Sequence, residues 1–539
     1  MPEVITNNLD LWTSAILTKS TAGRGSNGKL EAYGIKRLRE LILELAVRGK
    51  LVPQDPNDEP ASALLEKIEE EKVRLVNEGK IRNKKPQLDI TEEDTPYKIP
   101  KNWEWLRLTD LYYSISPSGK KLKTSQILDE GEYPVVDQGQ SYVAGYTNDP
   151  ELLIEIPGPV VIFGDHTTEV KYVDFNFVAG ADGTKILRPY LMDERYFYTY
   201  LKSYKLENRG YARHFKVLNA NFMALPPHAE QHRIVAKVDE LMALCDQLEQ
   251  QQTHSLEAHQ TLVETLLGTL TNVESAKELA EAWSRIANHF DTLFTTEYSI
   301  DQLKQTILQL AVMGKLIPQD PNDEPACELL SRKQESAEEN IPFRIPESWV
   351  WARVDDFAQT RLGKMLDKAK NKGTPVRYLR NVNVRWFDFD LSDVKKMRFE
   401  DSELEEFSLR RGDVLICEGG YPGRAAVWDE RESNIYFQKA IHRVRFQNGV
   451  NPNYFVYVLR ESADSGRLNS YFTGAGIQHF TGKGLASFLV PLPPLTEQHR
   501  IVAKVDELMA LCNALKARIS DAQTTKIHLA DAIVEQAVA

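Results

Sequence analysis

The sequence predicts an α+β protein: two mixed α/β domains in tandem repeat, separated by two long coiled-coil helices. Three observations predict this. First, the segment EQHRIVAKVDELMALC occurs twice unchanged, at Glu230–Cys245 and at Glu497–Cys512, and an identity of that length within one chain is an internal repeat. Second, matched segments surround each copy in the same order. LAVRGKLVPQDPNDEPA (Leu45–Ala61) returns as LAVMGKLIPQDPNDEPA (Leu310–Ala326), YKIPKNWEW (Tyr97–Trp105) as FRIPESWVW (Phe343–Trp351), and LPPHAEQHR at Leu225 as LPPLTEQHR at Leu492. Third, apolar residues after each Leu-Pro-Pro step by fours and threes, as a coiled-coil seam does.

Residues 1–34 are an N-terminal segment and linker, because TKSTAGRGSNGKLEAYG (18–34) is small, polar and glycine-rich and such composition stays mobile. Residues 35–96 form a first helical repeat element. In it Leu38, Leu41, Ile42, Leu45 and Ala46 follow helical spacing from Ile35, and Gly49 and Pro53 close the helix. The charged stretch Ala61–Arg82 is expected to be a solvated surface helix. Residues 97–229 form the first mixed domain, whose variable block (Tyr112–Ala224) alternates β-rich runs at Tyr133–Val136, Val160–Phe163, Lys171–Val173 and Lys185–Leu187 before a helix at Glu194–Lys205.

The central long helix, 230–268, carries the seam Ile234, Val238, Leu241, Cys245 and Leu248. Gln252, Ser255 and His259 interrupt it before Leu262 and Leu266 resume. At about 1.5 Å per residue, His232 to Gly268 makes a rod of around 54 Å. Residues 269–342 are a linker and a second helical repeat element, and 343–496 form the second mixed domain with a variable block at Ala358–Pro491. The C-terminal long helix, 497–539, has the seam Ile501, Val505, Leu508, Cys512, Leu515, Ile519, Ala522, Lys526, Leu529 and Ile533. Proline stops the strand before each long helix, and Thr496 and Ala229 stand where an N-cap would.

The two variable blocks share a pattern more than a sequence. GPVVIFGDH at Gly158 and GDVLICEGG at Gly412 both read as a buried strand ending in a turn. Tyr196-Phe197 and Tyr454-Phe455 each open an aromatic helical stretch, and Arg213-His214-Phe215 matches Gln478-His479-Phe480 in position. A strict frame holding two divergent inserts suggests one task performed on two targets.

On LAVxGKLxPQ, IPxxW and LPPxxEQHRIVAKVDELMALC, each present twice and in order, the chain resembles the specificity subunits of type I restriction-modification systems. The resemblance implies two DNA target-recognition domains joined by antiparallel long helices, without a catalytic site. Each domain would read one half of a bipartite site in double-stranded DNA, and the helices would set the spacer and dock partners. Those partners would be two methyltransferase (modification) subunits and two restriction (nuclease-translocase) subunits. S-adenosylmethionine, ATP and Mg²⁺ would belong to them, leaving no cofactor in this chain.

Composition sets limits on this reading. A chain of 539 residues suits two or three domains. No apolar run is long enough to span a bilayer, and Met1-Pro2-Glu3 lacks a signal peptide's basic start, so a cytoplasmic location without a membrane partner is expected. Cys245, Cys327, Cys417 and Cys512 form no C-x-x-C pair and read as small apolar residues. A net charge of −12 runs against the basic footprint of a DNA-binding protein. The acidity lies mainly outside the blocks: residues 97–224 hold 15 Lys and Arg against 16 Asp and Glu, and residues 343–491 hold 23 against 19. Phosphate attraction must therefore come from local clusters.

Catalytic motifs are sparse. The sequence has no GxxxxGK[ST] loop and no HExxH, and its Pro-Pro pairs precede helices rather than forming a methyltransferase tetrapeptide. One enzymatic alternative is a free-standing Mg-dependent nuclease, resting on Asp165 and Glu169-Val170-Lys171, where carboxylates would hold the metal and lysine would steady the attacking water. Another alternative is a coiled-coil scaffold without nucleic acid.

Candidate DNA contacts in the first block are Lys120, Lys121 and Lys123, His166, and Arg209, Tyr211, Arg213, His214 and Lys216 beside Asn219 and Asn221. In the second block they are Lys364, Lys368 and Lys370, then Arg377, Tyr378, Arg380, Asn381 and Asn383, then Tyr421 and Arg424 in GGYPGR, and Gln478, His479 and Lys483. Each set mixes cations for phosphates with Arg, Asn or Gln side chains able to make paired hydrogen bonds to guanine or adenine edges. The ordinary alternative for any one lysine is a solvated surface charge.

Overall fold

The computed structural model describes residues 3–19, 29–83, 90–117, 119–180, 183–206, 213–330, 341–367, 369 and 371–539. They form two compact units, Met1–Ser255 with Ala522–Ala539, and Leu256–Asp521. The helix His228–Asn272 begins in the first unit and ends in the second, and Leu495–Val538 does the reverse.

Each unit has a four-stranded antiparallel sheet of the same order. In the first unit the order is Tyr112–Ile115, Thr184–Pro189, Val160–Gly164, Val170–Val173. In the second it is Ala358–Leu362, Ile441–Phe446, Val414–Cys417, Ala425–Val427. The two expected apolar strands, Val160–Gly164 and Val414–Cys417, are buried at every position, as continuous apolar runs require. A second, partly parallel sheet completes each domain: Lys121–Leu122, Val178–Gly180, Tyr133–Val136 and Gly145–Thr147 in one, Lys395–Phe399, Thr374–Leu379 and Ile435–Phe437 in the other. The blocks are thus one fold filled with two sequences.

The repeated signature residues meet at a buried junction in each unit. Trp103 and Trp349 each donate Nε1–H to a carboxylate oxygen at 2.9 Å, from Glu230 and Glu497 respectively. Gln54 and Gln319 donate to the other oxygen of the same carboxylates, at 2.5 and 2.7 Å. Gln231 accepts from Asp193 N and donates to Pro226 O, and Gln498 does the same with Asn451 N and Pro493 O. Arg233 and Arg500 reach Asp58 and Asp323 at 2.6 Å. Gly49 and Gly314 turn with φ of +67° and +70°, and a Cβ there would sit 2.5 Å from Pro100 or Pro346. The matched segments therefore join helical element, domain and long helix at one point, and this accounts for their near-identity. Burial pushes the Glu230 and Glu497 carboxyls above their ordinary value.

Several expectations need correction. The polar stretch 18–34 is not all linker, since Leu17–Lys19 pairs antiparallel with Lys29–Glu31; residues 20–28 lie outside the described set. The charged helix Ala61–Asn77 is amphipathic, burying Ala61, Leu64, Ile68 and Leu75, so it is not simply solvated. The stretch expected as linker after 269 holds a helix, Ala276–Asn288, opened by a Ser275/Glu278 capping box. Ala229 and Thr496 lie inside the first turns of helices beginning at His228 and Leu495, so neither is the cap.

The seams also drift. Ile234, Val238, Leu241 and Cys245 are buried, but further along Val263, Leu267 and Leu270 are buried while Leu262 is 48% exposed. In the second helix Ile501, Val505 and Cys512 are buried, then Ala530 and Val534, with Leu529 49% exposed. A straight helix slips about 20° per heptad from a 3.5-residue repeat. Ile234 to Leu262 and Ile501 to Leu529 each span four heptads, and the resulting slip of roughly 80° is nearly one residue. The buried face keeps a 3.6-residue period, and each helix end packs into the core of its own unit.

Candidate nucleic-acid interface

In the second unit the candidate residues of three separate segments converge at one end of the antiparallel sheet. The strand Val414–Cys417 runs into Glu418-Gly419-Gly420, and Gly419 bridges to His479. Asn381 donates its amide to Gly419 O at 3.1 Å and accepts on its own carbonyl from Arg424 Nη2 at 2.9 Å. Arg424 lies 4.1 Å over the Tyr421 ring, a cation–π contact that holds the guanidinium plane in place. Gly420 has a φ of +79°, and a Cβ on it would lie 2.6 Å from Asn381 Nδ2. The Gly-Gly pair is what lets these loops close. Behind them His442, 1% exposed, donates from Nε2 to Phe480 O at 2.8 Å, and burial pushes its imidazole below the ordinary value.

Other candidates in this unit are engaged inside the domain. Tyr378 and Asn383 are 4% and 2% exposed, and Asn383 ties Arg380 N to the Asp390 and Asp393 carbonyls. Lys364 ion-pairs with Glu403 and covers the Phe399 ring. Arg377 pairs with Glu432 at 2.6 Å and Arg380 with Asp393 at 2.7 Å. Burial or an existing partner removes Lys364, Tyr378 and Asn383 from the reading surface, and turns Arg380 toward Asp393. Gln478, His479 and Lys483 are exposed; Lys368 and Lys370 lie outside the described residues.

Sequence reasoning missed the strand Lys395–Phe399. Lys395, Lys396 and Arg398 are exposed on it, and Lys396 lies directly opposite Arg377. Like charges opposite one another in a ladder are unfavourable, and here the Glu432 carboxylate paired with Arg377 offsets that within the domain. The signal was present in VKKMRF as a cation-rich strand, but the run was read only as part of a variable block.

The first unit builds a corner in the same place. Asp165, 4% exposed, accepts from Phe215 N at 2.8 Å on its carboxylate and from His214 N at 2.8 Å on its carbonyl. Gln138 accepts from His166 N at 3.0 Å on its side chain and from Thr167 Oγ1 on its carbonyl. Thus Gln138, His166 and the 213–216 segment meet, as Asn381, Gly419 and His479 do in the other unit. His214 is 2% exposed and serves this corner from inside, which corrects its expected contact role. Arg213 and Lys216 are exposed. Lys120, Lys121 and Lys123 belong to the neighbouring sheet region, with Lys120 donating to Leu153 O at 2.9 Å. Arg209 and Tyr211 lie outside the described residues. Gln138 was missed; the Asp-Gln-Gly-Gln turn after an apolar strand was its signal.

The nuclease constellation is not assembled. Lys171 Nζ donates to the Asp137 and Ser141 carbonyls at 2.8 and 2.6 Å, while Asp165 pairs with Lys185 at 3.5 Å. No group of three or more metal-ligating side chains gathers among the described residues, and no described helix is long and apolar enough to cross a membrane.

Two different loop clusters, each holding amide and cationic side chains, thus stand at the equivalent corner of two units built on the same frame. The chain belongs to the family of the type I restriction modification DNA specificity domain, whose model matches residues 100–258 and 346–522. It is 39% identical to the type I restriction enzyme EcoAI specificity subunit of Escherichia coli and 35% identical to the EcoEI specificity subunit of the same organism, each over 99% of both chains. A chain from a solved type I R-M system aligns with 82% of this chain and 99% of its own length, at 17% identity and a TM-score of 0.48.

Proposed function

We propose that this chain is the DNA-reading subunit of a type I restriction-modification enzyme, each domain recognising one half of a bipartite duplex site. One observation carries the reading: the two units share a strand order and a residue-for-residue junction, while the loops at the equivalent corner differ in nearly every side chain that could touch a base. Arg424 and Gln478 offer base-edge chemistry in the second unit, with Asn381 holding Arg424 and the Gly419 loop in place and Lys396, Arg398 and Lys483 for phosphates. Gln138, Arg213 and Lys216 are the counterparts in the first. The long helices set the spacing between half-sites and dock two methyltransferase subunits and two nuclease-translocase subunits. S-adenosylmethionine, ATP and Mg²⁺ act in those partners, in the cytoplasm.

Selection of bound duplexes from a randomised pool, by the chain with its methyltransferase subunits, tests this. Two fixed half-sites around an unspecified spacer are expected, with affinity falling steeply as salt rises. Retention without sequence preference supports a scaffold instead, and cleavage of DNA by the chain alone with Mg²⁺ supports the nuclease.

A further inference from the structure

Residues 473–479 of the second unit form a small closed finger. Thr473 N donates to His479 O at 2.9 Å and His479 N to Thr473 O at 2.8 Å, so its base is clamped on both sides. The base is fixed to the domain as well: Gly419 bridges His479, and Phe480, fully buried, donates to Glu418 O at 2.7 Å. Gly474 turns with φ of +105°, where a Cβ would meet Ile477 O at 2.3 Å. Between the clamped ends stand Gly474-Ala475-Gly476, whose largest side chain is a methyl group, and then Ile477 and Gln478. Ile477 is 73% exposed, the most exposed of the large apolar residues described.

A lone exposed apolar residue needs no explanation. This one stands on a slim turn whose ends, Thr473 and His479, are hydrogen-bonded to each other and bridged to Gly419, in the loop cluster proposed above to meet DNA. The geometry points to a major-groove finger that reads thymine through Ile477 and an adjacent adenine through Gln478. Among the base edges of the major groove only thymine offers an apolar group, its C5 methyl, while a Gln amide pairs with adenine N6 and N7. The narrow Gly-Ala-Gly stem suits entry into a groove roughly 12 Å wide. The inference rests on the reading of the chain as a DNA-specificity subunit and names one of its determinants.

The test uses the full chain with its methyltransferase subunits and the duplex recovered by selection from a randomised pool. Each thymine in the half-site read by residues 343–496 is replaced in turn by deoxyuridine, which lacks only the methyl group. The wild type should lose about fourfold in affinity at one position, the effect expected for one buried methyl, and Ile477→Ala should bind both duplexes equally. Gln478→Ala should relax the preference for adenine next to that position. Because Ile477 is exposed, Ile477→Ala should melt with the wild type. Equal binding of thymine and deoxyuridine by the wild type at every position overturns the inference, as does a deoxyuridine penalty that survives Ile477→Ala. Brightening of 2-aminopurine on binding, without a deoxyuridine penalty, overturns it in favour of a wedge between base steps. Failure to recover any sequence preference overturns the specificity reading itself, and the finger with it.

Discussion

The buried junction makes a quantitative prediction twice in one molecule. Trp349 Nε1–H points at Glu497 Oε2 at 2.9 Å, with the carboxylate 1% exposed, and Trp103 faces Glu230 at the same distance in the other unit. A hydrogen bond to a charged group contributes about 1.5–3 kcal/mol, and a buried acceptor left without its donor keeps its desolvation cost. Trp349→Phe also removes part of a ring that is 6% exposed, so a single variant mixes bonding with packing. The double-mutant cycle Trp349→Phe, Glu497→Leu separates them. Its coupling should be about 1.5–3 kcal/mol at neutral pH, and the cycle Trp103→Phe, Glu230→Leu should agree within about 0.5 kcal/mol. A chain of two units need not unfold in one step, so local opening should be followed by hydrogen exchange in peptides spanning each junction. Coupling below about 0.5 kcal/mol in both copies, or present in one copy only, would refute the view that the repeat is preserved by this junction.

Arg424→Ala should cost about 1–3 kcal/mol of affinity and relax one base position, whereas Arg380→Ala, whose guanidinium is held by Asp393, should leave base preference unchanged; binding to a panel of single-base variants decides both. Raised carboxyls at Glu230 and Glu497 mean the native state holds these protons more tightly than the unfolded chain. Stability relative to Glu497→Gln should therefore fall as pH rises through the raised value and be flat below about pH 4.3, where both states are protonated. Asp58 and Asp323 have the opposite sign: their arginine partners hold the carboxyls below the usual range. Their contribution should be complete above about pH 3.9 and vanish as pH falls further, which acid unfolding of Asp323→Asn can measure. Inserting seven residues after Leu248 and after Leu515 turns each helix only about 20° off register and adds about 10 Å. The recovered spacer should lengthen by roughly three base pairs, and tight binding to the original spacing would count against the helices as a ruler.

Much of the frame was legible because repetition singled it out. The strands at Tyr133–Val136 and near Val160–Phe163 and the helix from Glu194 were legible because β-rich and aromatic runs are local features; the Asp193 cap that opens the helix was as local but was not used. The seam was misplaced at its far ends because the repeat was counted in sevens, whereas a helix packed locally turns every 3.6 residues. Ser275 and Glu278 were a readable capping box lost inside a presumed linker. At the candidate interface, residue type put Asn381, Arg424, Gln478 and Lys483 in one set with Asn383 and His214, which are the same kinds of side chain but buried. That difference depends on contacts such as Asn383 to Asp390 and His214 to Asp165, which join residues that no sequence spacing marks as neighbours.

The most direct test of two independent readers on one frame is an exchange of residues 112–224 for the corresponding block of another family member. It leaves the second domain in place, and of the first junction's residues it replaces only Asp193, which takes part through its backbone N–H. Methylome sequencing of a host carrying the hybrid with its partner subunits should show one half-site replaced and the other half-site unchanged. A change in both halves together, or in neither, would contradict it.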